Sequence, residues 1–314
     1  MTARDAAVVG TDPTVAGRPH GGAVGPLLRA VRPRQWTKNV LVLLAPAAAG
    51  VLGRPAALLH VLGAFGVFCA AAAGTYLVND TVDAAADRQH PEKRHRPVAS
   101  GELPSALAAT CGASLLVVAV AGAWLLAGWS LTAVVGAYVA VTIAYTVRLK
   151  REPVIEMAAV ASCFVLRATA GGAAVHVPLS NWFLVVTCFG ALFVVVGKRS
   201  AERARLGPTG SGHRAVLASY SPSFLRSTLT MSAAVTLTAY FLWAFDGSGL
   251  SARAGGRVVW VQLTVVPVIV AVLHVLHLLD AGRGGTPEDL ALKDRLLQVL
   301  GATWVALFAV GLYG

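Results

Sequence analysis

The chain has 314 residues, of which 56% are hydrophobic and only 13% charged, and its mean hydropathy is +0.67. Such values exclude an ordinary soluble domain and predict an all-α, polytopic membrane protein. The net charge of +11 does not point to nucleic acid. No nucleic-acid motif accompanies it, and basic loops that fix orientation beside anionic lipid account for a positive excess.

Residues 1–27 are rich in Gly, Ala, Thr and Pro, show no periodicity and lack a cleavable-signal pattern. They are expected to form a flexible cytoplasmic tail ahead of a single catalytic unit over 28–314. The segment RPRQWTKN, Arg32 to Asn39, then forms a cationic and aromatic anchor at the membrane edge, with Arg34 and Lys38 as candidates to face an anionic ligand. Apolar windows of about 20 residues, the length needed to cross a hydrocarbon core, follow one another to the end. They predict nine spans, near 35–53, 58–79, 104–127, 129–147, 153–174, 181–198, 223–245, 258–279 and 296–313.

Charge gives the orientation. With the N-terminus in the cytoplasm, 22 of the 26 Lys and Arg fall on the cytoplasmic side; Arg54, Arg253 and Arg257 fall opposite, and Arg167 lies within a span. Outward connections are short, such as AGWS at 127–130, whereas inward ones are long and chemically dense. Function is therefore expected on the cytoplasmic face.

The densest inward connection is Asn79 to Arg96, NDTVDAAADRQHPEKRHR, directly after the second span. On a continuing helix Asp80, Asp83 and Asp87 stand at i, i+3 and i+7, and Asn79 shares their face. Carboxylates that close repel unless a cation sits among them. Hard oxygen ligands of this kind suit Mg²⁺ brought in on a substrate phosphate. Arg88, Lys93, Arg94 and Arg96 follow and can take further phosphate charge.

After the fourth span comes YTVRLKREP, with Tyr145, Arg148, Lys150 and Arg151, and Glu156 in the first turn of the next helix. Glu156 precedes Arg167 by eleven residues, about three helical turns, so the two are expected on one face. An ionisable group inside a span is by default a candidate for function. The sixth connection opens with GKRSAERAR, where Lys198, Arg199 and Glu202 lie on a helix end suited to phosphate. In the eighth, GTPEDLALKDR, Thr286 is a plausible N-cap, Pro287 stands at N1, and Glu288 and Asp289 fill the first turn. The Gly-rich stretches 207–212 and 282–286 read as loops. Cys69, Cys111, Cys163 and Cys188 lie in apolar runs without ligand spacing, and no nucleophile elbow, Walker loop or zinc motif is present.

NDTVDAAAD and the basic run after it, with YTVRLK, resemble the UbiA superfamily of intramembrane prenyltransferases over nearly the whole chain from about Arg32. The resemblance implies a nine-helix bundle, a diphosphate substrate, and Mg²⁺ held by Asn79, Asp80, Asp83 and Asp87. Members that use a prenyl donor carry a second aspartate-rich motif after the sixth span; here that place is GKRSAE, without an aspartate. This departure, with RPRQWTKN, DRQHPEKRHRPVASG, LKREPVIEMAAVASCFVLRATAGG and TPEDLALKDR, is similar to a branch that uses phosphoribosyl diphosphate and a polyprenyl phosphate, decaprenyl phosphate.

That branch implies transfer of the 5-phosphoribosyl group to the lipid phosphate with release of diphosphate, at the plasma membrane of actinobacteria that build an arabinan cell wall. Asp80, Asp83, Asp87 and Lys150 would carry catalysis. Lys38, Lys93, Arg94 and Arg96 would serve the donor, Tyr145 would place the sugar, Lys198 and Arg199 would take the lipid phosphate, and Arg148 and Glu156 would complete the substrate-binding set. An aromatic prenyltransferase of the same superfamily and a non-catalytic lipid-phosphate carrier are the alternatives. Chain length of the lipid and oligomeric state, a homo-oligomer included, are left open by the sequence.

Overall fold

The computed structural model describes residues 23–206, 215–246, 254–282, 290 and 293–314. The expected tail up to residue 22, the loop 207–212, most of 282–286 and the expected helix start at Thr286 to Asp289 lie outside them. The described residues are helical and contain no strand. Seven segments are long and apolar enough to cross a membrane: Pro55–Val82, Ser105–Val147, Ile155–Ala174, Asn181–Ala204, Pro222–Phe245, Gly255–Asp280 and Arg295–Tyr313.

Three of the expected spans, the first, third and fourth, differ from simple separate α-helices. The first is built from a 3₁₀ helix, Pro33–Leu43, that runs into a short α-helix, α2 (Leu44–Ala48), after α1 (Val24–Ala30). Eleven residues at about 2.0 Å each reach roughly 22 Å, further than the same residues would as α-helix. Close backbone packing accompanies this winding: a Cβ added to Gly171 would lie 1.7 Å from the Val42 carbonyl oxygen, so only glycine permits the approach. The third and fourth expected spans form one element, α5 (Ser105–Val147), broken at Ala127 and Gly128. Gly128 has φ +61 and ψ −146, a conformation essentially confined to glycine, and it falls within the AGWS turn expected from sequence. The exposed Trp124 and Trp129 flank the break, as interfacial indoles do.

The remaining elements are α3 (Pro55–Val82), α4 (Ala84–Gln89), α6 (Ile155–Ala174), α7 (Asn181–Leu206), α8 (Ala215–Ala218), α9 (Pro222–Phe245), α10 (Val258–Leu263), α11 (Val265–Asp280) and α12 (Arg295–Tyr313). Without water to drive them together, helices in lipid associate through close packing of small residues. The run Ala70 to Gly74 serves that purpose on α3, and Gly74 meets the backbone of Gly112 on α5. One core joins α3, α5, α6 and Val42 around Phe68 and Tyr138, whose rings lie 5.3 Å apart. A second joins α6, α7 and α9 around Met157, Val196 and Leu225. The side chains left outside, such as Val117 and Leu125, are large and apolar, as a lipid-facing surface requires.

Candidate functional site

The aspartates gather where α3 ends. Helix α3 does not continue through the motif: Asp83, with φ −89 and ψ 0, closes it, and α4 starts at Ala84. The four-residue spacing nevertheless survives, because the Asp83 N–H donates to the Asn79 carbonyl at 2.9 Å and the Asp87 N–H to the Asp83 carbonyl at 2.8 Å. Asp80 and Asp87 therefore still face the same partner. Arg96 donates to both, at 3.2 Å and 2.7 Å. Asp83, at the break, turns to Lys150 at 2.5 Å. Thr146 donates to the Asn79 Oδ1 at 3.1 Å, which ties the end of α5 to the motif.

A residue not singled out for the site in the sequence completes the cluster. Arg32 donates to Asp80 Oδ1 at 2.5 Å and lies over the Tyr76 ring at 5.1 Å. Its backbone is left-handed, φ 53 and ψ 62, immediately before Pro33, an unusual place for a non-glycine residue. Three carboxylates, Asp80, Asp83 and Asp87, thus face three cations, Arg32, Arg96 and Lys150. One oxygen is left over. Asp80 is buried, and its Oδ2 has no hydrogen-bond partner. An ionised oxygen buried unpaired is costly, and a divalent cation would satisfy it.

The donor set fits Mg²⁺ in kind, since carboxylates and an amide oxygen are hard ligands. Among the described residues no three His, Cys, Asp or Glu converge on one point. That is compatible with a Mg²⁺ held through one or two carboxylates and completed by substrate phosphates rather than by a closed protein cage.

The other expected site residues divide. Lys93 and Arg94 are exposed, and Arg94 Nε contacts His95 at 3.3 Å. Arg88 donates to the Ala99 carbonyl at 3.2 Å, and the exposed Arg148 pairs with Glu152 at 3.8 Å. Lys38, on the 3₁₀ helix, and Tyr145, in the last turn of α5, are half-buried, as is Lys198 near the end of α7.

Glu156 and Arg167, three turns apart on α6 and both buried, take different partners. Arg199 takes Glu156 in a two-pronged pair, Nε to Oε1 at 2.7 Å and Nη2 to Oε2 at 2.6 Å, and its Nη1 reaches Glu202 at 2.8 Å. Arg167 is held by neutral groups instead: its Nε donates to Asn39, its Nη1 to the Cys163 carbonyl and its Nη2 to the Tyr138 hydroxyl, at 2.8–2.9 Å. Asp294 caps α12 by accepting the Leu297 N–H at 3.0 Å and pairs with His274. A separate cavity of about 870 Å³ lies among the ends of α7, α9 and α11, between Ser200, Arg203, Leu225, Arg226, Leu276 and Asp280. None of the motif aspartates lines it.

The helical membrane bundle and the Asn-Asp-Asp-Asp cluster at one helix end, ringed by Arg and Lys, are those of a polytopic membrane transferase. Residues 39–300 match the model of the UbiA prenyltransferase family, and the chain belongs to that family. It is 43% identical over 296 residues to a decaprenyl-phosphate phosphoribosyltransferase of Mycobacterium tuberculosis, covering 93% of this chain and 96% of that one. Another protein of that name, from Corynebacterium glutamicum, is 43% identical over 290 residues, 91% of this chain and 86% of that one. The fold is that of a UbiA homologue from Archaeoglobus fulgidus bound to DMAPP and Mg²⁺, with a TM-score of 0.66 at 17% identity over 91% of this chain and 97% of that chain.

Proposed function

We propose that this protein transfers the 5-phosphoribosyl group of phosphoribosyl diphosphate to a polyprenyl phosphate, decaprenyl phosphate in the first instance, and releases diphosphate. The observation that carries the reading is the cluster of Asp80, Asp83 and Asp87 against Arg32, Arg96 and Lys150, with the buried Asp80 Oδ2 unpaired. The names of the mycobacterial and corynebacterial relatives favour the same donor and acceptor.

The residues supply a mechanism. Arg32, Arg96 and Lys150, now held on carboxylates, are placed to turn toward the donor's phosphates when a diphosphate enters. When bound through one or two of Asp80, Asp83 and Asp87, with Asn79 beside them, Mg²⁺ would supply charge neutralisation for the departing diphosphate. Loss of that group leaves an oxocarbenium-like C1. A lipid phosphate oxygen, anionic at neutral pH, attacks it without a general base, which accounts for a site built without an activated Ser, Cys or His. Attack opposite the leaving group inverts the anomeric centre. Lys198 is the stronger candidate for the lipid phosphate, because Arg199 is already engaged by two carboxylates.

That engagement also weighs against a prenyl donor. At the end of α7, where prenyl-donor members place a second acidic cluster, Arg199 stands between Glu202 and the Glu156 of α6 and pairs with both. We further read the chain as nine crossings, with the 3₁₀ segment as the first and α5 as two, and with the aspartate end in the cytoplasm beside most of the basic residues. Labelled phosphoribosyl diphosphate offered with polyprenyl phosphate and Mg²⁺ tests the function: label in the lipid supports it, and label only from a prenyl diphosphate overturns it.

A further inference from the structure

Lys150 reaches Asp83 from a short 3₁₀ turn, Leu149–Arg151, and the chain between that turn and α6 is strained. Val154 has φ +67 and ψ −49, and the Ile155 N–H donates across it to the Pro153 carbonyl at 2.7 Å. This is the rare form of the γ-turn, and a β-branched residue at positive φ is a steric outlier. Strain of this kind persists only where surrounding groups hold it.

The holding group comes from a distant part of the chain. The Val154 N–H donates to the Tyr220 hydroxyl oxygen at 2.8 Å, and that hydroxyl in turn donates to Glu156 Oε1 at 3.4 Å. Glu156 is fixed by Arg199, and the Tyr220 ring stacks on Phe224 at 5.7 Å. Burial holds the Tyr220 phenol above its ordinary value, so it stays protonated and can donate to the carboxylate. The chain of contacts therefore runs from Arg199 and Glu156, through Tyr220, to the strained turn that begins three residues after Lys150.

We propose that Tyr220 is a positioning residue: with the Glu156–Arg199 pair behind it, it locks the γ-turn at Val154 and so sets the reach of Lys150 toward the donor's diphosphate. The inference rests on the reading that Lys150 serves a diphosphate. Tyr220 itself touches no reacting atom.

The test uses the full-length protein in detergent with inorganic diphosphate and Mg²⁺ as the probe, measured by calorimetry, alongside the phosphoribosyl-transfer assay. Tyr220→Phe should weaken diphosphate binding and raise the donor KM by roughly three- to tenfold while kcat is kept, the pattern of a lost ground-state contact. Adding Val154→Gly should restore both, because glycine takes φ +67 freely, whereas adding Val154→Ala should not. A Tyr220→Phe protein with wild-type binding, or one rescued equally by alanine and glycine, overturns the proposal. If Tyr220→Phe does not fold, the single variants decide: Val154→Gly must be more thermostable than Val154→Ala, the reverse of their usual order, and the usual order overturns the proposal. Failure of the functional reading has its own signature, a wild-type protein that binds diphosphate with these dependences but transfers no phosphoribosyl group.

Discussion

Two clusters of Asp, Glu, Arg and Lys stand in this bundle, and they are built on opposite principles. At Glu156 and Arg199 both side chains are at most 5% exposed and every prong of the guanidinium is used. At Asp80 the carboxylate is equally buried, yet one oxygen has no partner, and its two cations, Arg32 and Arg96, are 26–28% exposed, with Arg96 shared with Asp87. A saturated, closed pair holds helices together. A cluster whose cations are partly open to solvent, and in which a buried carboxylate oxygen stands unpaired, is arranged to accept a further ligand.

The comparison predicts that variants of the two clusters fail in different ways. The largest effect belongs to the open one. Asp80→Asn and Asp83→Asn should each lower kcat by about 10²-fold or more, since each removes charge from the place where diphosphate departs, while insertion and thermal stability are kept. Rates of diphosphate release at saturating Mg²⁺ check this; EDTA should abolish them and Mg²⁺ restore them. At the closed cluster the order is reversed. Arg199→Ala leaves Glu156 buried and uncompensated and should cost about 3–5 kcal/mol of stability, read as a fall in melting temperature. A stable Arg199→Ala protein with only a raised acceptor KM would return Arg199 to the lipid phosphate.

Intermediate effects fall on single cations. Arg32→Ala should raise the donor KM about tenfold and leave the acceptor KM unchanged, because a charge-assisted contact is worth roughly 1.5–3 kcal/mol. Lys198→Ala should show the opposite split. The smallest effect lies at Asp294, whose carboxyl is held below its ordinary value of 3.8 by the Leu297 N–H and by His274. A lowered value means that its contribution is present above pH 3.8 and is lost as the pH falls through the folded value. The melting temperature of wild type should therefore fall toward that of Asp294→Asn as the solution is acidified, and a constant gap would contradict the cap.

The sequence exposed the open cluster better than the closed one, for a physical reason. Asn79, Asp80, Asp83 and Asp87 are neighbours along one stretch, so helical spacing alone placed them together, and the break at Asp83 changed little because the backbone bonds kept the register. Their counter-ions are distant. The basic runs that hold Arg96 and Lys150 make both candidates, but Arg32 reads as part of a membrane anchor, and nothing in RPRQ announces that its backbone turns left-handed onto Asp80. The partners of Glu156 lie 43 and 64 residues away, beyond any periodicity, so its spacing to Arg167 on the same helix said nothing of them. Gly128 marked the turn inside α5 correctly, whereas the close approach of the 3₁₀ segment to Gly171 joins residues far apart in the chain and has no local signal.

The central claim is that the aspartate cluster serves a phosphoribosyl donor. The most direct measurement places purified protein with Mg²⁺, polyprenyl phosphate and phosphoribosyl diphosphate labelled in the ribose, and follows label into the organic phase for wild type and Asp80→Asn. The account predicts labelled lipid from wild type, matched by released diphosphate, and at most about 1% of that rate from Asp80→Asn. Lipid labelling that survives Asp80→Asn, or a wild type that labels lipid only when given a prenyl diphosphate and an aromatic acceptor, would contradict it.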